Sequence, residues 1–178
     1  LKSALIFAAS RGINVSLIVP SKPDHFLTFC IGKTFLKTLV ENGVHVYLYL
    51  PGFIHSKLFT SDGKIATVGS INLDYRSLFH HFEDGLLIYK KSVIEKIQRD
   101  IELTKLSCKD MTLDDYKKLP LIVKILGRIF RIFAPLVSKF HSTFNPPLVK
   151  PCIVVKFRMK TKRSLIFKLC GNNFSVNF

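Results

Sequence analysis

From residue 116 to residue 178 the sequence has no aspartate and no glutamate, yet that stretch holds 13 of its 27 lysines and arginines. The first 115 residues carry the other 14 together with all 12 acidic residues, so the +15 formal charge divides into +2 and +13. The basic character therefore belongs to the C-terminal third, which favours an anionic surface such as lipid headgroups or nucleic acid. Cysteine is scarce and badly spaced for chemistry. Cys30, Cys108, Cys152 and Cys170 form no Cys-x-x-Cys pair and no metal-ligand pattern, which argues against a redox dithiol or a zinc cage. They are expected to be reduced, with Cys30 and Cys108 packed as small apolar residues on helices. No metal and no cofactor is expected. A signal-peptide pattern is missing too, and the sequence starts at Leu1, inside what reads as a helix. A piece of a longer protein is the expectation.

What is present centres on residues 55–72, His55-Ser-Lys-Leu-Phe-Thr-Ser-Asp-Gly-Lys-Ile-Ala-Thr-Val-Gly-Ser-Ile-Asn72. Two short apolar runs flank a Ser-Asp-Gly-Lys turn, which predicts a β-hairpin. His55 and Lys57 are two residues apart, so on a strand they would project from one face, and Ser70 and Asn72 share that relation. Such a hairpin gathers imidazole, ammonium, hydroxyl and amide. The set suits a phosphoester, with a nucleophile or proton donor, a fixed cation and neutral hydrogen-bond donors.

The rest of the chain predicts an α/β protein. Helical spacing over 1–9 ends near Gly12, and the apolar run 15–19, stopped by Pro20, reads as a buried strand. A second helix over 26–41 closes at Asn42-Gly43, and 44–50 reads as another strand. After the hairpin, 73–81 reads as irregular and 85–89 as a strand. Ser92-Val-Ile-Glu95 is a capping-box pattern opening a helix to about residue 106, and Thr112-Leu-Asp-Asp115 repeats it with a shorter acid. Helices alternating with strands imply a sheet with helices on its faces. The run 119–137 is very apolar, but Lys124, Arg128 and Arg131 interrupt it at i, i+4 and i+7. A helix lying in a membrane interface fits that pattern better than a spanning one, and a core-packing helix with a solvated basic edge is the alternative.

The spacing His-x-Lys, four residues, Asp, six residues, Gly-Ser-x-Asn resembles the HKD motif of the phospholipase D superfamily at every position. The resemblance widens to the C-terminal half of bacterial cardiolipin synthases over roughly the first 136 residues. It is carried by Arg11-Gly-Ile-Asn-Val-Ser-Leu-Ile-Val-Pro20, Lys22-Pro-Asp-His25, Gly43-Val-His-Val-Tyr47, Tyr49-Leu-Pro-Gly-Phe-Ile-His55, Asn72-Leu-Asp-Tyr-Arg-Ser77 and Phe82-Glu83. It implies a phospholipase D-like half, a mixed β-sheet flanked by helices, followed by an amphipathic basic helix and an irregular tail. The expected divisions are 1–110 (catalytic), 111–140 (amphipathic, membrane-proximal) and 141–178 (basic tail). That tail could be a genuine basic arm or the product of a frameshift.

The implied chemistry is phosphatidyl transfer through a phosphohistidine, condensing two phosphatidylglycerols to cardiolipin and glycerol at the cytoplasmic membrane. By the same resemblance His55 acts as nucleophile or general acid, Lys57 and Asn72 contact phosphate oxygens, and Ser70 supports them. Asp62 is a structural partner, and Glu83 orients a catalytic histidine through its second nitrogen. His25 could sit near the substrate entrance, while His45, His80 and His81 read as surface or packing residues. Family members with two motifs pair two histidines, and this chain has one motif. A second HKD half is therefore an expected partner, either the missing N-terminal half or another copy, alongside phosphatidylglycerol and an anionic membrane surface. Hydrolysis by a phospholipase D, cleavage of nucleic acid and an inactive remnant are the alternatives. Nucleic acid is disfavoured because 119–137 interleaves charge with aliphatic residues and lacks stacking aromatics in a polar groove.

Overall fold

The computed structural model describes residues 1–22, 26–79, 82–140, 154–158, 165–169 and 172–176. His25, His80, His81, His141, Cys152, Cys170 and the Asn145-Pro-Pro147 break lie outside the described residues.

The apolar run after Gly12 forms β1 (Asn14–Pro20), in which residues 15–19 are all buried. Burial on both faces is what an unalternating Val/Leu/Ile run predicts for an interior strand. Before it comes α1 (Lys2–Ser10), and after it α2 (Phe26–Glu41) leads to β2 (His45–Tyr49), parallel to β1. The hairpin forms as β3 (Leu58–Ser61) and β4 (Ile65–Gly69), followed by α3 (Tyr75–Phe79) and β5 (Gly85–Ile88). Next come α4 (Lys91–Leu106), β6 (Cys108–Asp110), α5 (Leu113–Lys117) and α6 (Leu121–Phe140). The tail adds β7 (Val154–Arg158), β8 (Leu165–Leu169) and β9 (Asn172–Val176). Seven strands make one mixed sheet in the order β5-β4-β3-β7-β1-β2-β6, and β8 pairs with β9 separately.

The α/β class predicted from the sequence is what forms, but the tail is not irregular throughout. β7 lies between β1 and β3, antiparallel to the first and parallel to the second. One sheet face carries the larger core, where Val15, Leu17, Val19, Val46 and Leu48 meet Leu5, Ala8, Leu39, Met111 and Tyr116. The other face buries Ile18 against Ile101 of α4. Met111 and Tyr116 thus join residues 111–117 to the core of the first hundred residues.

Two local expectations are corrected and a third is met more fully than expected. Cys108 is on the edge strand β6, not a helix, with its thiol donating to the Thr104 carbonyl at 3.2 Å. The box at Ser92 does not close: α4 begins at Lys91, its N-cap Lys90 makes no side-chain cap bond, and Glu95 lies 3.9 Å from Lys91. The weaker-looking box at Thr112 closes fully, with Asp115 Oδ2 accepting from Thr112 N–H at 2.9 Å and Thr112 Oγ1 accepting from Asp115 N–H at 3.3 Å. The difference is position: both N-caps are extended, but Thr112 is itself the cap whereas Ser92 lies inside α4 behind Lys90, and Asp115 is held additionally by Lys109 Nζ at 2.6 Å.

The Lys109 ammonium and the Thr112 N–H keep the Asp115 carboxyl at about 2, below its usual 3.8. A depressed carboxyl stabilises the fold above its unfolded value, and that contribution fades as pH falls through the folded one. Asp115→Ala is expected to cost about 1 kcal/mol at pH 7 through the lost cap. In urea unfolding at several pH values, the gap between wild type and variant should close between about pH 4 and pH 2.

α6 packs on α2 at a close crossing. Val123 is buried, and a Cβ built on Gly127 would stand 2.3 Å from the Cys30 carbonyl oxygen and 2.8 Å from Thr34 Cγ2. Only glycine permits that approach. Arg131, one turn on, lies over the Phe35 ring at 4.5 Å and donates to Thr38 Oγ1 at 3.4 Å. The core-packing alternative for this helix holds for part of its surface. One face packs on the domain, while Ile122, Ile125, Ile129 and Ile132 on another remain exposed. Among the described residues no helix is long and apolar enough to cross a membrane.

Candidate active site

The polar residues of the motif meet at one end of the hairpin, not along it. His55 and Lys57 precede β3, which begins at Leu58, so the expectation that they share a strand face is corrected. Ser70 and Asn72 follow β4. Because β3 and β4 are antiparallel, with Leu58 opposite Val68, the chain entering and the chain leaving are neighbours. Gly69 N–H donates to the Lys57 carbonyl at 3.2 Å and ties them together.

Lys57 is buried, and its ammonium donates to the His55 carbonyl at 2.7 Å. A buried cation requires such polar partners to offset its lost hydration. The His55 side is open: the residue is exposed, and its ring centroid lies 5.8 Å from that of Phe53. A fixed cation thus sits inside the surface and an accessible imidazole sits at it.

Ser70 links the end of β4 to the start of β5. Its N–H donates to the Asp84 carbonyl at 2.8 Å, and its Oγ accepts from Asp84 N–H at 3.0 Å. The hydroxyl also donates to the Glu83 carboxylate, a charge-assisted bond. Ser70 and Glu83 are therefore brought together beside the motif. Asp62 is not. It occupies the hairpin turn at φ 51 with Gly63 at φ 70, the positive-φ pair of a type I′ turn. Four strand residues separate that turn from Lys57, about 13 Å of extended chain. Its place is structural.

Asn72 is buried, donating from Nδ2 to Ser77 Oγ at 3.2 Å, and its Oδ1 has no hydrogen-bond partner among the described residues. Turning the amide over exchanges the two atoms. Ser77, whose hydroxyl both donates and accepts, would then donate to Oδ1 and release an N–H pair into the unpartnered position. Ser77 and Asp74 are site residues that the sequence reading passed over. Residues 73–81 read as irregular, but Asp74 Oδ1 accepts from Ser77 N–H at 2.7 Å and its carbonyl accepts from Leu78 N–H at 3.1 Å. An Asp accepting from the residue three further on is an N-terminal cap, and it starts α3. The signal was in Asn-Leu-Asp-Tyr-Arg-Ser, and the short length of the helix hid it. Among the described residues, no three His, Cys, Asp or Glu side chains gather as a metal site.

An open imidazole, an inward ammonium, a carboxylate-bonded serine and a buried amide within one hairpin end can bind and polarise a phosphodiester. Comparison with known proteins agrees in family. A family model described as cardiolipin synthase, PLD-like domain, matches residues 1–104. An uncharacterized protein of Streptococcus mutans is 37% identical over 137 residues, covering 77% of this chain and 30% of that protein. Cardiolipin synthase 1 of Staphylococcus epidermidis is 34% identical over 139 residues, 76% of this chain and 28% of the relative. A cardiolipin synthase of Clostridium perfringens is 32% identical over 134 residues, 75% and 28% respectively. The chain spans less than a third of the length of these curated relatives. No solved structure matches it. With its family match and its α/β fold in agreement, the chain belongs to the PLD-like domain family of the cardiolipin synthases.

Proposed function

We propose that the chain is the single-motif, C-terminal catalytic half of a phosphatidyltransferase of the cardiolipin synthase type. The observation that carries this is the pairing of an exposed His55 with a buried Lys57 at one end of the hairpin. In the proposed reaction one histidine attacks phosphorus of phosphatidylglycerol; a P–N bond forms, the P–O bond to glycerol breaks, and glycerol takes a proton from the second histidine. That second histidine then deprotonates the hydroxyl of another phosphatidylglycerol, which attacks phosphorus and breaks the P–N bond. Lys57 offsets charge on the phosphoryl oxygens, and the turned amide of Asn72 donates to one of them, with Ser77 holding it. Ser70 holds Glu83 in place for an imidazole. Asp62 serves by fixing the turn.

His55 supplies one of the two histidines, and a second HKD half supplies the other. Support for an occluding partner is exposed apolar surface beside the motif: Phe53 lies 5.8 Å from the His55 ring, and Phe79 and Phe82, on the chain that follows Asn72, are exposed as well. Excluding water there would favour a lipid acceptor over hydrolysis. The proposed location is the bacterial cytoplasmic membrane, with this part peripheral.

The test is lipid product analysis on phosphatidylglycerol vesicles, with His55→Ala alongside. Cardiolipin with glycerol, lost by about a thousandfold or more in the variant, is the expected result for two copies completing one site. Phosphatidic acid with glycerol, again lost in the variant, would make the chain a hydrolase. Absence of product from either chain would refute self-assembly of an active site.

A further inference from the structure

Beyond the α2 contact, α6 carries a second face. Ile122, Ile125, Ile129 and Ile132 follow i, i+3, i+7, i+10 and are 61%, 48%, 47% and 75% exposed, with Phe133 adjoining them. Isolated exposed apolar residues are ordinary, but a continuous stripe on one helix marks a contact surface. Along its edge stand Lys124, Arg128 and Arg131, on a segment that has no acidic residue through to the C-terminus. At the same edge the α2–α6 seam opens into a cavity of about 110 Å³ lined by Thr34, Lys37, Thr38, Tyr116, Arg128 and Arg131. Lys37 there is paired with Glu41 at 2.7 Å and Arg131 is engaged with Phe35 and Thr38, so the basic edge that borders the stripe rests on Lys124 and Arg128.

We propose that α6 docks the protein onto an anionic lipid bilayer. The isoleucine stripe enters the boundary between headgroups and acyl chains, and the Lys124–Arg128 edge meets lipid phosphates. Charge decides the occupant. A second copy packed α6 against α6 would set the basic edges of the two helices against each other, and α6 itself carries no acid to relieve them. Nucleic acid would bring phosphates against isoleucine. An anionic bilayer satisfies both the apolar face and its basic edge. Since α6 also touches α3, the helix that follows Asn72, docking would hold the His55 end beside lipid phosphodiesters. Docking does not require turnover, so it stands or falls separately from the transfer reaction.

The experiment is vesicle co-sedimentation of the full chain, with phosphatidylglycerol/phosphatidylcholine vesicles against phosphatidylcholine alone. Binding to the anionic vesicles is expected, weakening as salt is added. Ile125→Ser/Ile129→Ser/Ile132→Ser should reduce partitioning about a hundredfold. Arg128→Gln should reduce it about fivefold on anionic vesicles and leave the neutral ones unchanged. The natural sequence has no tryptophan, so Ile129→Trp gives a single reporter whose emission should shift to the blue on anionic vesicles. That reading remains if the triple variant fails to fold. Three outcomes overturn the proposal: equal binding to both vesicle types, an unshifted Ile129→Trp, or serine variants that turn a dimer into monomers while vesicle binding persists. Binding of inorganic phosphate without vesicle binding would also overturn it, leaving a free-anion site.

Discussion

Gly69→Ala is expected to lower the melting temperature by about 5–10 °C and to abolish most of the proposed transfer activity, while Gly85→Ala across the ladder is nearly silent. The two glycines face each other in the β4–β5 pairing, yet their surroundings differ. A Cβ on Gly69 would lie 2.2 Å from the Asp84 carbonyl oxygen and 2.7 Å from Gly85 Cα. Both are backbone, so no side-chain rotation relieves the overlap and the strands must part. A Cβ on Gly85 meets Ile71 Cδ1 and the Val68 carbonyl at 3.8 Å, ordinary contact. Parting the strands at Gly69 acts directly on the site. It pulls on the Gly69 N–H bond to Lys57 and on the Ser70–Asp84 pair that brings Glu83 alongside. Thermal melts of both variants, with product formation measured below the melting range, check the prediction. An unperturbed Gly69→Ala would mean that β4 and β5 are not paired at that end.

Most of the α/β frame was legible in the sequence because its signals are local. Apolar run, stop signal and helical spacing coincide for β1, α2 and β2, each within a residue or so of the reading. The hairpin was legible through Asp62-Gly63, where the turn demands positive φ at both positions. What escaped depends on neighbours remote in sequence. Gly127 looks like a flaw in a helix until α2 is placed against it, and its reason lies nearly a hundred residues away at Cys30. β6 has three residues, too few for any period, and exists because β2 offers it a ladder.

The site divides in the same way. The spacing offers its candidates, since His55, Lys57, Ser70 and Asn72 are set in order by one motif, and the hairpin brings their chain segments to one end. Their geometry was not legible. Strand alternation predicted a shared face, whereas β3 starts only after Lys57, and the grouping comes from the closeness of the hairpin's two open ends. Asp62, expected as a structural partner, belongs to the motif by spacing, and the hairpin that gathers the others places it in the far turn. Ser77 and Asp74 needed the α3 cap to exist before their hold on Asn72 could be seen.

The tail raises the sharpest question about the fold, and Val155→Pro answers it. In β7, Val155 is paired with Leu17 of β1 on one side and with Phe59 of β3 on the other. Proline removes the backbone donor and its ring crowds the neighbouring strand, so it is tolerated at sheet edges and not inside sheets. Substitution there is expected to cost about 3 kcal/mol or more and to convert one cooperative transition into a broad or split one. The split follows from the strand order. Without β7 the sheet separates into β5-β4-β3, which carries the motif, and β1-β2-β6, which carries the larger core. Each half would expose a bare edge, a template for association with other chains. Ending the chain after residue 140 should have the same effect, whereas proline at Phe167 in the separate β8–β9 pair should cost far less. Urea unfolding of the three variants distinguishes the cases. If Val155→Pro unfolds as the unaltered chain does, β7 is not the central strand, and the basic stretch beyond residue 140 is dispensable to the fold, as a frameshifted ending would be.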